Sequence, residues 1–142
     1  MRITQEADYA LRIIYFLAKQ NKTVDAGTIA QRISVPQRFS LKILRKLMLN
    51  NLIASRKGVS GGYFIAAPLS DISILRVIES IDGPLYMNKC LNIENPCNRG
   101  AEKGECVFHN IFNQINQYIV EKLGSITFEE VIQCSDKSGA CK

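Results

Sequence analysis

The chain has 142 residues, 46% of them apolar and 22% charged, and a net charge of +5. This composition is that of a globular protein and excludes disorder over most of the length; the length suits one domain, or one small domain with a dimerisation appendage. No stretch reaches the ~20 apolar residues of a membrane helix, and the opening MRITQEADYALR has no unbroken apolar run before a cleavage site, so no membrane association and a cytoplasmic location are expected. The charge is uneven. Residues 1–62 carry eleven Lys/Arg against Glu6, Asp8 and Asp25, whereas residues 63–142 carry seven against ten Asp/Glu. A basic first half beside an acidic second half points to a polyanionic partner for the first.

Thr4 can cap a first helix over 5–20, in which Ala10, Ile13, Ile14, Leu17 and Ala18 recur at helical spacing. Asp25 can start a short second helix with Ile29 and Ile33 inward. After the turn at Pro36, the spacing predicts a third helix over about 37–50. Leu41, Leu44, Leu47 and Met48 form its expected inner stripe, and Arg38, Lys42 and Arg45 share the opposite face. Two short helices about a tight turn, the second wearing a basic stripe, form the pattern of a helix-turn-helix. Two strand-like runs, about 52–56 and 63–66, then flank KGVSGG and predict a hairpin, a wing. The fold class expected is mainly α with a small β-hairpin wing.

A fourth helix is predicted over about 71–81, ended by Gly83-Pro84, and a long one over about 106–123. The long helix carries Phe108, Ile111, Phe112, Ile115, Ile119 and Leu123 on one stripe, widened by Val107 and Tyr118. So broad an apolar face calls for a partner helix, and a two-fold homodimer is the economical solution. Thr127 and Glu130 offer a capping box to a short last helix. Cys134 and Cys141 fall in a tail that should be mobile.

A recognition helix places its first residues nearest the bases, so Gln37, Arg38 and Lys42 are the base-edge candidates. Arg45, Lys46, Arg56, Lys57 and Arg2 are the phosphate candidates, and the wing glycines Gly58, Gly61 and Gly62 belong to the same surface. The partner expected is double-stranded DNA with a roughly palindromic operator. A Gly-rich loop can also cradle a nucleotide phosphate, but neither GxGxxG nor a P-loop is present.

Three of the five cysteines and the single histidine lie in residues 89–110. Six residues separate Cys90 from Cys97 and eight separate Cys97 from Cys106, with His109 three positions later. Structural zinc favours cysteine pairs two to four residues apart, whereas an iron–sulfur cluster accepts a loop wrapped around it; a bare thiol redox switch is the third reading. A redox enzyme using Cys106 and His109 would need an orienting third group, and none is evident.

The opening MRIT…ADYALR, the segment IAQRISVPQRFSLKILRKL, the wing SRKGVSGGY and the three-cysteine loop together resemble the Rrf-type bacterial regulators, the IscR/NsrR family, to about residue 132. The resemblance implies a homodimeric winged-helix transcription factor with a [2Fe–2S] or [4Fe–4S] cluster in each subunit. The function expected is a DNA-binding regulator, a repressor and not an enzyme, whose operator binding is controlled by that cluster sensing iron–sulfur status, redox or nitric oxide. Cys90, Cys97 and Cys106 match the family's three cysteine ligands in order. His109 matches the fourth ligand of one branch and Asp8 that of another, where it comes from the other subunit; both stay open. The organisation implied is a winged helix-turn-helix domain over 1–82, a cluster-binding loop over 83–105, a dimerisation helix and short helix over 106–132, and a tail over 133–142. Zinc binding or a direct thiol switch is the alternative.

Overall fold

Thr4 opens the first helix: its side chain accepts a hydrogen bond from the Ala7 amide and its hydroxyl donates to Asp82, 2.7 Å away. The computed structural model describes residues 3–92, 94–95, 97, 100 and 105–136; Arg2 and Cys141 lie outside them. Helix α1 (Gln5–Gln20) buries Ala7, Ala10, Ile13, Ile14 and Leu17, the inward face that its apolar spacing dictates. Asp25 caps α2 (Ala26–Arg32), accepting from the Thr28 amide at 2.9 Å and from its hydroxyl at 2.6 Å. Those bonds hold the Asp25 carboxyl below the usual carboxylate range, the Thr28 hydroxyl contributing most.

Helix α3 (Gln37–Leu49) packs on both α1 and α2. Its buried face is Ser40, Ile43, Leu44 and Leu47. This corrects the expected stripe: Leu41 is 42% exposed and stands outward beside Lys42, while Ile43 takes the inner place. With 3.6 residues per turn, a stripe centred on Leu44 and Leu47 takes in Ser40 and Ile43 and leaves Leu41 at its edge.

Strands β1 (Ile53–Arg56) and β2 (Gly62–Ile65) pair antiparallel in the register Ile53↔Ile65 to Arg56↔Gly62. The hairpin is tied back to the helices, because Tyr63 and Val24 exchange backbone hydrogen bonds of 2.8 and 2.9 Å. That approach is why Gly62 has no side chain: a Cβ there would stand 2.3 Å from the Val24 carbonyl oxygen.

A single 3₁₀ turn occupies Leu69–Asp71, so α4 (Ile74–Asp82) starts later than the spacing alone predicts, at a Ser73 cap. It ends at Gly83, with φ of +79°. Helix α5 (Val107–Ser125) packs on α4, and α6 (Phe128–Asp136) packs on α1. The capping box forms, with Glu130 accepting from the Thr127 amide at 2.8 Å and the Glu130 amide donating back at 3.3 Å. Helix α6 also corrects the expected tail: it runs on to Asp136, so Cys134 is a half-buried helical residue. Lys19 of α1 pairs with Asp136 and fixes that end. A core that includes Ile13, Ile14, Leu17, Ile29, Ile43, Leu44, Leu47, Ile78 and Phe128 unites α1, α2, α3, α4 and α6; among the described residues, α5 adds its half-buried Leu123.

Candidate nucleic-acid interface and cysteine loop

Along α3, Gln37, Arg38, Lys42 and Arg45 are exposed and Lys46 is half-buried. Arg56 and Lys57 are exposed at the hairpin end, with the Arg56 guanidinium 5.6 Å from the Phe64 ring centre. The structure therefore sets the predicted cations on two adjoining elements, α3 and the β1–β2 hairpin. Gly58, with φ of +115°, shapes the turn between the strands, and a Cβ on Gly61 would stand 2.4 Å from the Arg56 carbonyl oxygen.

Two of the α3 cations are engaged within the chain. The Glu6 carboxylate accepts from Lys42 Nζ at 2.6 Å and from Lys46 Nζ at 3.0 Å. Lys46 also donates to the Ile81 carbonyl oxygen at 3.0 Å, at the end of α4. The hydrogen bond from Lys42, then that from Lys46, holds the Glu6 carboxyl below its ordinary value. Charge counting could not reveal this, because Glu6 and Lys42 lie thirty-six positions apart.

Cys90, Cys97 and Cys106 are free and half-buried. Cys90 lies in a 3₁₀ turn (Lys89–Leu91) that packs on α5, Cys106 is the residue before α5, and His109 is half-buried in its first turn. Asp8 stands on α1 with its carboxylate 2.7 Å from the Arg12 guanidinium. Among the described residues, no three of His, Cys, Asp and Glu come close enough to hold a metal ion. By chemistry the donors suit an iron–sulfur cluster, being thiols uncommitted to disulfides with a histidine three positions after the last of them. By position, one chain does not gather them.

Asn116 is the residue that sequence reasoning missed. It is the only buried residue of α5, 9% exposed, and its carboxamide brackets the backbone leading into the cysteine loop. Its Oδ1 accepts from the Met87 amide at 2.7 Å and its Nδ2 donates to the Leu85 carbonyl at 3.3 Å. The signal was its spacing, four residues after Phe112 and three before Ile119, in line with the inward apolar positions.

A protein of Neisseria meningitidis serogroup B, bearing the name of an HTH-type transcriptional regulator, is 29% identical over 135 residues, spanning 94% of this chain and 88% of that one. The regulator IscR of Pectobacterium carotovorum is 25% identical, over 93% of this chain and 79% of its own. Among solved structures, T. potens IscR superposes with a TM-score of 0.78 at 19% identity, covering all of this chain and 93% of that one. CymR, the global cysteine regulator of B. subtilis, superposes with a TM-score of 0.76 at 21% identity, covering 92% and 95%. These likenesses establish the winged-helix fold. The family model for Rrf2, described as an iron-dependent transcriptional regulator, matches residues 3–134, and the chain belongs to that family of transcriptional regulators.

Proposed function

We propose that the protein is a homodimeric DNA-binding repressor whose grip on a roughly palindromic operator is set by an iron–sulfur cluster held in the cysteine loop. Cys90, Cys97 and Cys106 would hold the cluster, with His109 or the partner subunit's Asp8 completing the set. If Asp8 serves, Arg12 must first release it, since the two pair on the same helix. The observation that carries the reading is a continuous packing route. Asn116 straps the loop entrance to α5, α5 packs on α4, and α4 packs on both α1 and α3.

On this reading Gln37, Arg38 and Lys42 face base edges. Arg45, Arg56, Lys57 and Arg2 meet phosphate, and Gly58, Gly61 and Gly62 shape the wing that approaches the backbone. A bound cluster would supply iron for the thiolates of Cys90, Cys97 and Cys106 to ligate, which would tie distant loop positions together. The chain does the rest: Asn116 passes a loop displacement to α5, and α5 sets the separation of two reading heads that must match half-sites about one helical turn apart. A hundredfold change in operator affinity needs only ~2.7 kcal/mol of coupling between loop and operator.

Anaerobic reconstitution with iron and sulfide should give a brown protein with thiolate charge-transfer absorption, and Cys97→Ala should lose it. An unchanged Cys97→Ala spectrum removes the ligand assignment. The half-buried thiols, none of them in a disulfide, support a second reading, in which they respond directly to oxidants or, gathered as a cluster would also require, bind zinc. Metal and sulfide analysis of anaerobically purified protein separates the two: zinc is colourless and brings no sulfide. For the DNA face, Arg38→Ala with Lys42→Ala should abolish operator retardation in a gel while leaving thermal unfolding cooperative.

A further inference from the structure

Four cations line α3, and a single carboxylate from another helix has taken two of them. Glu6 of α1, with its side chain 23% exposed, bridges Lys42 and Lys46 with one oxygen each. The two lysines are held differently. Lys46 is half-buried and has a second acceptor in the Ile81 carbonyl, so it fastens α1, α3 and α4 together. Lys42 is held by Glu6, its side chain is 56% exposed, and its Nζ stands 5.8 Å from the Phe39 ring centre. It shares the outward face of α3 with Arg38 and Arg45, neither of which pairs with a carboxylate among the described residues.

We propose that Glu6 is a specificity-determining residue that withholds Lys42 from the phosphate backbone of arbitrary DNA and yields it to a base edge. The proposal rests on the reading that α3 enters the major groove. Non-specific affinity comes from cations that displace condensed counterions from phosphates. A lysine already lying against a carboxylate would exchange one anionic oxygen for another there, with little gain. At a guanine the balance differs, because O6 and N7 stripped of water and left without a donor carry a desolvation cost that Lys42 removes. Glu6 does not need to leave its site when Lys42 swings away, since Lys46 still holds its other oxygen. Contact with backbone then falls to Arg45 and the wing, and Lys42 is reserved for reading.

The test uses two probes: a random-sequence duplex of about thirty base pairs, and an operator duplex selected by the wild-type protein from a randomised pool. Binding is measured from 50 to 300 mM KCl. Glu6→Gln keeps the side chain's shape and removes its charge. It should steepen the logarithmic salt slope on the random duplex by about one, raise that affinity several-fold, and lower the operator-to-random ratio by a similar factor. In a Lys42→Ala background the same substitution should leave the random-duplex slope where it was. Lys42→Ala alone, at an exposed position that folding tolerates, should weaken operator binding about tenfold without altering the random-duplex slope. A slope that Glu6→Gln does not change, or one that changes equally in the Lys42→Ala background, overturns the proposal. So does a random-duplex slope that Lys42→Ala makes shallower by one. A wild-type protein that enriches no duplex from the pool and does not bind the random duplex at 50 mM KCl overturns the placement of α3, and the role of Glu6 falls with it.

Discussion

Asn116 and Gly62 show how single positions fix the geometry around the two functional regions. Removing the Asn116 carboxamide deletes its hydrogen bonds to the Met87 amide and the Leu85 carbonyl in a half-buried setting, at a cost of about 1–3 kcal/mol. Asn116→Ala should therefore unfold at lower denaturant, and the Cys90 thiol of the apo protein should react faster with a disulfide reagent. Unchanged reactivity would confine Asn116 to stability. Gly62→Ala drives a Cβ into the Val24 carbonyl, so it should lower the melting temperature and increase protease cleavage between Arg56 and Gly62. Ser40 is the opposite case. Its hydroxyl is wholly buried and makes no hydrogen bond among the described residues, so Ser40→Ala should leave stability unchanged or raise it by up to about 1 kcal/mol.

At the scale of elements, α5 is built inside out. Its one buried residue is polar, while Val107, Phe108, Ile111, Ile115 and Tyr118 are all exposed, Tyr118 to 69%. Phe108, Ile111, Ile115 and Tyr118 follow a three-four-three spacing, the seam that a second helix covers. If a second copy covers it in solution, Ile111→Glu with Ile115→Glu should convert a dimer to a monomer in sedimentation equilibrium, and operator affinity should fall at least tenfold as one reading head is lost. A wild-type monomer at micromolar concentration would remove the dimer from the proposed function. Most of this helix could be read from periodicity, but not the division of its apolar residues into an inward set (Phe112, Ile119, Leu123) and an outward one. Both sets lie within a few residues of each other, and the packing of α5 on α4 and on the Lys89–Leu91 turn decides which is turned inward.

At the scale of the whole molecule, three carboxylates among the described residues are held below their ordinary pKa by the contacts they make. Glu6 bridges α1 to α3, Asp25 caps α2 and Glu130 caps α6. Each has its pKa lowered in the folded state, by the lysine hydrogen bonds, the Thr28 hydroxyl and the Thr127 amide respectively. A lowered carboxylate stabilises the fold at every pH above its ordinary value, and that contribution is lost as pH falls through the folded value. The melting temperature should thus be nearly level from neutral pH down to about 5 and drop below the ordinary carboxylate range near 4.5. Glu6→Gln should flatten part of that acid limb; an identical limb in the variant would show that the bridge adds nothing to stability. At the alkaline end, Lys19 is raised by its bond to Asp136, so its contribution is present at neutral pH and lost only above the usual lysine value.

The amino-acid sequence by itself determined the order of the helices, the wing, the caps at Thr4, Asp25 and Thr127, and the candidate cations and thiols. Those features follow from short-range rules: apolar spacing, capping oxygens and glycine conformation act over a few residues. What only the tertiary structure decided are contacts between distant parts of the chain. It turned Leu41 outward, extended the last helix past Cys134, placed Asn116 against the loop entrance and set Glu6 on Lys42. A carboxylate and a lysine thirty-six residues apart leave no local trace, because their meeting depends on how α1 and α3 pack on a shared core.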